Sequence, residues 1–227
     1  MSTRRRTQLC GAAVAFVVFL TVVEQVMTSG WLVDVDHHLT DVYGNGRLGH
    51  ARTIERVIGN GRWVVIAHVF TPLGDARLLL ASVGVLAVLM YRQSRKREAL
   101  FLVVVAGGGV LLDLLARLII GYVRPDMPYP YVFLGRYGLP SGHALDSASC
   151  FGAIVVIMWP QLTRSARVLT AAGAAVLVAC ISYSRVILLA HFFTDVLAGA
   201  ALGVAWLLVA TVAFGLPRRD ELTTPGQ

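Results

Sequence analysis

Residues 184–195 read Ser184-Arg185-Val186-Ile187-Leu188-Leu189-Ala190-His191-Phe192-Phe193-Thr194-Asp195, and this stretch sits between two long apolar runs. An ionisable group at the edge of a membrane span is expensive and therefore marks a candidate functional site. His191 and Asp195 are four residues apart, which on a helix puts both side chains on one face. A carboxylate in that position can hold one imidazole nitrogen and leave the other to attack or to ligate. Arg185 adds a permanent cation with a planar fork of donors suited to phosphate. An anion-holding arginine beside a His-Asp pair points to phosphoryl transfer with a histidine nucleophile. The same residues also fit a plainer reading, a capped helix start next to a loop arginine.

The rest of the chain sets the environment of this stretch. Of 227 residues, 56% are hydrophobic and 15% charged, and the mean hydropathy is +0.69. Soluble domains are nearer a quarter charged. Several apolar runs approach the roughly 20 residues that cross a bilayer as a helix. The composition therefore predicts an all-α fold, a polytopic membrane helical bundle forming one domain over residues 1–227. The net charge of +7 is not the footprint of a nucleic-acid partner, because the arginines cluster in short segments between apolar runs. Cys10, Cys150 and Cys180 all fall in apolar runs without metal-ligand spacing and read as buried thiols. The apolar run after Arg4-Arg5-Arg6 extends past signal-peptide length and lacks a small-residue cleavage site.

Six transmembrane helices are expected, over about 9–28, 76–91, 99–122, 143–160, 168–183 and 192–214, with Val64 to Phe70 as a separate apolar segment near the second. Residues 30–75 form a polar stretch. Its Asp34, Asp36, His37, His38 and Asp41 match no metal motif, and Asp34 or Asp36 is expected to cap a short helix. Leu48, Ala51, Ile54, Val57 and Ile58 recur at helical spacing opposite charged residues and predict an amphipathic helix at the membrane surface.

An even number of spans puts both termini on one side. Arg4 to Arg6, Arg92 to Arg97, Arg164 with Arg167, and Arg218 with Arg219 then share that side. The positive-inside rule makes it the cytoplasm. Residues 215–227 become a cytoplasmic tail and 30–75 an extracytoplasmic segment. The loops 124–142 and 184–191 fall together on the outer face.

Three segments lie on that face: Arg117, six intervening residues, then Arg124-Pro125; Pro140-Ser141-Gly142-His143; and the stretch from Ser184 to Asp195. In these residues the chain resembles the type 2 phosphatidic acid phosphatase superfamily, which also contains bacterial acid phosphatases and vanadium haloperoxidases. The second and third motifs match the family pattern, and the first departs once, with Arg117 where the family usually has lysine. The motif core spans residues 117–195.

The resemblance implies that His191 attacks phosphorus, that Asp195 orients it, and that His143 is the general acid that later activates water. Arg117, Arg124, Ser141, Gly142 and Arg185 would bind the substrate phosphate. Independently, backbone N–H groups at the start of the fourth span can face an anion, and Gly142 lets the chain approach it closely. No cofactor and no metal are implied, the arginines supplying the positive charge that the transition state needs. Asp113, four residues before Arg117, is expected to pair with it, and Asp146 to cap the fourth helix.

The resulting expectation is a multi-pass cell-membrane lipid phosphatase acting at the extracytoplasmic face. Its partners would be a lipid phosphate substrate and the surrounding membrane lipids, with the oligomeric state left open. The substrate would be a phosphatidate-type phosphate or a polyprenyl diphosphate, the latter favoured by a nearly lysine-free chain of bacterial appearance. Alternatives are a lipid phosphotransferase of the same fold, or a transporter or binding protein for an anionic lipid. Transporters place ionisable groups near the membrane midplane in broken helices, whereas here they lie at one edge.

Overall fold

A computed structural model describes residues 3–44, 62–123 and 136–216. Its helices in chain order are α1 (Thr3–Met27), α2 (Trp31–Gly44), α3 (Arg62–Phe70), α4 (Ala76–Arg92), α5 (Lys96–Ile120), α6 (Gly142–Met158), α7 (Arg164–Ile187) and α8 (Phe193–Phe214). Among the described residues there is no strand, only an isolated bridge between Val123 and Tyr137. The fold is all-α. Five helices are long and apolar enough to cross a membrane, and a bent pair, α3 with α4, makes the sixth candidate span.

That bent pair refines the second expected span. A 3₁₀ turn, Thr71–Gly74, carrying Pro72, separates α3 from α4, and the two axes differ by 49°. Proline lacks the N–H that would continue the ladder, so the chain turns there. Asp75 restarts the helix: its Oδ1 accepts from the N–H groups of Arg77 at 2.9 Å and Leu78 at 3.4 Å.

Lipid is as apolar as leucine, so burial from water does not drive these helices together; close packing of small residues does. The centre of the bundle is α8, which packs against α1 and α6. Gly199 and Gly203 lie on its contact with α6. A Cβ at Gly199 would strike the Ser141 carbonyl, and one at Gly203 the Leu145 carbonyl. Both obstacles are backbone and cannot swing aside. Gly199→Val should therefore destabilise the protein by about 1–3 kcal/mol through overpacking. Gly84 of α4, with nothing within 4 Å of a built Cβ, provides the contrast: Gly84→Ala should be neutral or gain up to about 1 kcal/mol. Thermal unfolding in detergent measures both, and equal Tm values for Gly199→Val and the unaltered protein would refute the packing argument.

The helix ends separate the charges. Arg5 of α1 and Arg97 of α5 both approach Gly215, just past the end of α8, so these basic groups share one end of the bundle. The ends that carry the three motifs gather at the other.

Several expectations need correction. Arg164 and Arg167 do not lie in a loop but in the first turn of α7, where Thr163 is the N-cap and Arg167 Nε donates to the Trp159 carbonyl at 2.9 Å. Residues Ser184 to Ile187 are likewise helical, so the expected 184–191 loop shortens to the turn between α7 and α8. Cys10 is exposed rather than buried, since only one face of α1 packs on protein; Cys150 is buried and Cys180 intermediate. The expected amphipathic helix at 48–58 and the tail beyond Leu216 lie outside the described residues.

Candidate active site

The site forms where the C-terminal ends of α5 and α7 meet the N-terminal ends of α6 and α8. The Ser141 N–H donates to the Asp195 carbonyl at 2.9 Å, tying the start of α6 to the first turn of α8. This contact requires Gly199, because α8 could not otherwise come so close. It also corrects an expectation: the Ser141 N–H is already engaged and cannot face a ligand. The first-turn N–H groups of α6 that follow it keep no intrahelical acceptor. The Ser141 hydroxyl is buried without a hydrogen-bond partner among the described residues and makes no cap bond.

His191 and Asp195 are 5% and 1% exposed. His191 Nδ1 lies 3.1 Å from Asp195 Oδ2, and the same oxygen accepts the Phe192 N–H at 3.0 Å. Asp195 thus closes the first turn of α8 and holds the imidazole with one atom. The turn before it is equally fixed: the N–H groups of Ala190 and His191 both donate to the Arg185 carbonyl, at 2.9 and 3.2 Å. Leu189, at φ 52°, takes the left-handed conformation that reverses the chain there.

Arg185 is 8% exposed in the last turn of α7, and its Nη1 donates to Thr71 Oγ1 at 2.7 Å. The bend between α3 and α4 therefore reaches into the site. Gly74, in the same turn, packs against the His143 ring and Ile181, with no space for a Cβ between them. His143 is near His191 and feels the charges of Arg185 and Arg117.

Arg117 pairs with Asp113 as its spacing predicts, Nε to Oδ1 at 2.9 Å, with both side chains mostly buried. The pair lies over the start of α6: a Cβ on Gly142 would sit 2.8 Å from Asp113 Oδ2 and 3.1 Å from Arg117 Nη2. Gly142 is the residue that admits them. Asp146 does not cap α6. It is buried further along the helix, facing Gly109 of α5, and its Oδ1 has no hydrogen-bond partner among the described residues. Arg124 and Asp126 lie outside the described residues. Among those described, no three His, Cys, Asp or Glu side chains converge as a metal site would require.

Sequence reasoning missed two residues that hold this arrangement. Thr71 looked like part of a polar connection. Asp36 looked like a cap for its own helix, but it is 4% exposed and caps α8 instead. Its Oδ1 accepts the Thr194 N–H at 3.0 Å and its Oδ2 accepts the Thr194 hydroxyl. Burial holds the Asp36 carboxyl above the usual aspartate range, against the opposing pull of these hydrogen bonds, and the Asp195 charge adds to the rise. Burial likewise raises the Tyr122 phenol, with smaller contributions from Asp195 and Asp36. The signal for Asp36 was weak but present: an aspartate in an apolar i, i+3 pattern, with Leu32 and Val35 before it.

A bundle of helices long and apolar enough to span a membrane, with a buried His-Asp pair and two arginines at one end, defines a class, the polytopic membrane proteins. A model described as the PAP2 superfamily matches residues 98–218, more than half of the chain. The protein belongs to that superfamily. It is similar to phosphatidylglycerophosphatase B of Bacillus subtilis (strain 168), with 30% identity over 137 residues, which are 59% of this chain and 66%, just under two thirds, of that relative. The crystal structure of the first transmembrane PAP2-type phosphatidylglycerolphosphate phosphatase, from Bacillus subtilis, shares its fold. The two superpose with a TM-score of 0.74 over 88% of this chain and 94% of that one, at 23% identity.

Proposed function

We propose that the protein is an integral membrane lipid phosphatase working through a phosphohistidine intermediate, as a single domain with its site on the extracytoplasmic face. The observation that carries this reading is the buried His191–Asp195 pair, with Nδ1 tied down and Arg185 anchored beside it. Tying Nδ1 leaves Nε2 as the nucleophile.

In the first step Nε2 bonds to phosphorus as the bond to the leaving oxygen breaks, and His143 gives that oxygen its proton. In the second, His143 takes a proton from water, whose oxygen attacks phosphorus. Phosphate leaves and His191 is restored. Arg117, Arg124 and Arg185, the Ser141 hydroxyl and the α6 N-terminus at Gly142 stabilise the equatorial oxygens, whose charge grows in the transition state.

The proposed substrate class is supported by the place of the site at the helix ends and by the name of the curated relative, a phosphatidylglycerophosphatase. Phosphatidylglycerophosphate is the first lipid to test, with phosphatidate and a polyprenyl diphosphate beside it. The purified protein should release phosphate from at least one of these in EDTA, with kcat/KM well above that for a soluble phosphate ester in the same detergent. Vanadate should inhibit as a mimic of pentacoordinate phosphorus. Activity lost to chelator and restored by magnesium would overturn the mechanism. A soluble ester hydrolysed as well as every lipid would overturn the substrate class.

Orientation rests on the basic end of the bundle, where Arg5 and Arg97 meet, facing the cytoplasm. A cysteine at Arg136, in a background without Cys10, Cys150 and Cys180, should react with an impermeant maleimide added to intact cells. Reaction only after the cytoplasmic side is opened would reverse the placement.

A further inference from the structure

The broken span touches the site at two points. Thr71 is buried at the start of the 3₁₀ turn between α3 and α4, and its Oγ1 accepts from Arg185 Nη1 at 2.7 Å. Further along the same turn, Gly74 lies against the His143 ring and Ile181. His143 also feels the charge of Asp75, the next residue. Both contacts come from outside the 98–218 segment that holds the three motifs. Apolar packing seats the turn: Ala67 of α3 lies on Ile187 and Leu188, just past Arg185, with Val64 against the same cluster. Pro72 stiffens the backbone on one side and the Asp75 cap fixes it on the other. The Thr71 hydroxyl is thus carried to Arg185 on a firm support, and a β-branched side chain has few rotamers in which to move.

A valine has the same shape and would seat the turn through the same apolar contacts. What the hydroxyl adds is direction. A guanidinium ends a long flexible chain, and it loses its aim unless a fixed group holds it. A neutral oxygen holds Nη1 without cancelling the charge, whereas the partner of Arg117 is the carboxylate of Asp113. Resting on the phosphatase reading, we infer that Thr71 is a positioning residue that aims the Arg185 guanidinium at the phosphoryl group, which makes the turn from Thr71 to Asp75 a fourth segment of the active site.

The experiment uses full-length protein in detergent with the lipid phosphate that it hydrolyses best. Thr71→Val keeps the shape and loses the hydroxyl. It should lower kcat roughly 10–100-fold, as misplacing a group near the reacting atoms does, and leave KM within about threefold. Thr71→Ser keeps the hydroxyl and should stay within about threefold of the unaltered kcat. A double-mutant cycle with Arg185→Lys, which has no Nη1 to hold, separates positioning from stability. In that background Thr71→Val should lower kcat by no more than about twofold further. A hydroxyl that served the fold alone would cost as much beside lysine as beside arginine. Equal losses in the two backgrounds, or an unchanged kcat in Thr71→Val, overturn the proposal.

A second measurement is independent of turnover. Vanadate titrated calorimetrically into the purified protein should bind Thr71→Val more weakly than the unaltered chain by roughly the factor lost from kcat, because it mimics the transition state. Thr71→Ser should bind it nearly as well as the unaltered chain. Suppose the unaltered protein releases no phosphate from any lipid, yet its vanadate binding keeps this dependence on the hydroxyl. The phosphatase reading then falls and the aiming of Arg185 stands. Phosphate release from the unaltered protein, with vanadate binding indifferent to Thr71→Val, leaves the phosphatase and overturns the role of Thr71.

Discussion

His191→Ala should abolish phosphate release, a loss of roughly 10⁴-fold or more, because it removes the imidazole that Asp195 holds for the covalent step. Asp195→Asn should leave a weak residual activity. The amide can still accept from the Phe192 N–H, but it removes the charge that stabilises the imidazole when it becomes cationic. His143→Ala should be most damaging for poor leaving groups, since it withdraws the proton they need. Rapid acid-free quenching of the unaltered enzyme should trap an acid-labile phosphoenzyme that is missing from His191→Ala. The sharpness of this set comes from geometry: Asp195 Oδ2 serves both His191 and the first turn of α8, so Asp195→Ala would also perturb the helix start, whereas the amide isolates the charge. Full activity in His191→Ala would end the phosphohistidine mechanism.

Arg117→Ala should lower kcat by about 10²–10³-fold, the usual effect of removing one preorganised donor to a developing oxyanion. Arg117→Lys should remain within about tenfold, since charge is kept while the fork is lost. Asp113 takes Nε, and the guanidinium lies beside Gly142 at the start of α6. If Arg117→Ala were as active as the unaltered enzyme, the residue would belong to a structural pair alone. Thermal unfolding separates the cases, because a purely structural pair would move Tm and spare kcat.

Most of the helical frame could be read from the sequence, because membrane spans are written as uninterrupted apolar runs and need no tertiary information. The juxtaposition of His143, His191 and Arg185 was also legible, through motif order and an alternating topology. What escaped was the set of contacts that cross the chain. Asp36 reaches Thr194 over 158 positions, and Thr71 reaches Arg185 over 114. Periodicity reports which face of a helix is apolar but not which distant helix end needs an acceptor. Asp146 misled for a related reason: near a helix start, an aspartate reads as a cap whether its side chain turns back to the backbone or, as here, inward toward α5. The Ser141 N–H was misassigned because its acceptor, the Asp195 carbonyl, belongs to another motif.

The bend at Thr71 and the carboxylate of Asp36 have a bearing on how the protein is made. Both belong to the first third of the chain, outside the 98–218 segment matched by the family, while His191 lies in the turn just before the last span. A ribosome feeding the membrane delivers the earlier segments first, so the receptor hydroxyl and carboxylate are waiting when α7 and α8 arrive. Until α8 docks, Asp36 has no Thr194 to hold, and His143 has no His191 beside it. The surroundings of His191 are thus completed only when the last span reaches its receptors in the first third of the chain.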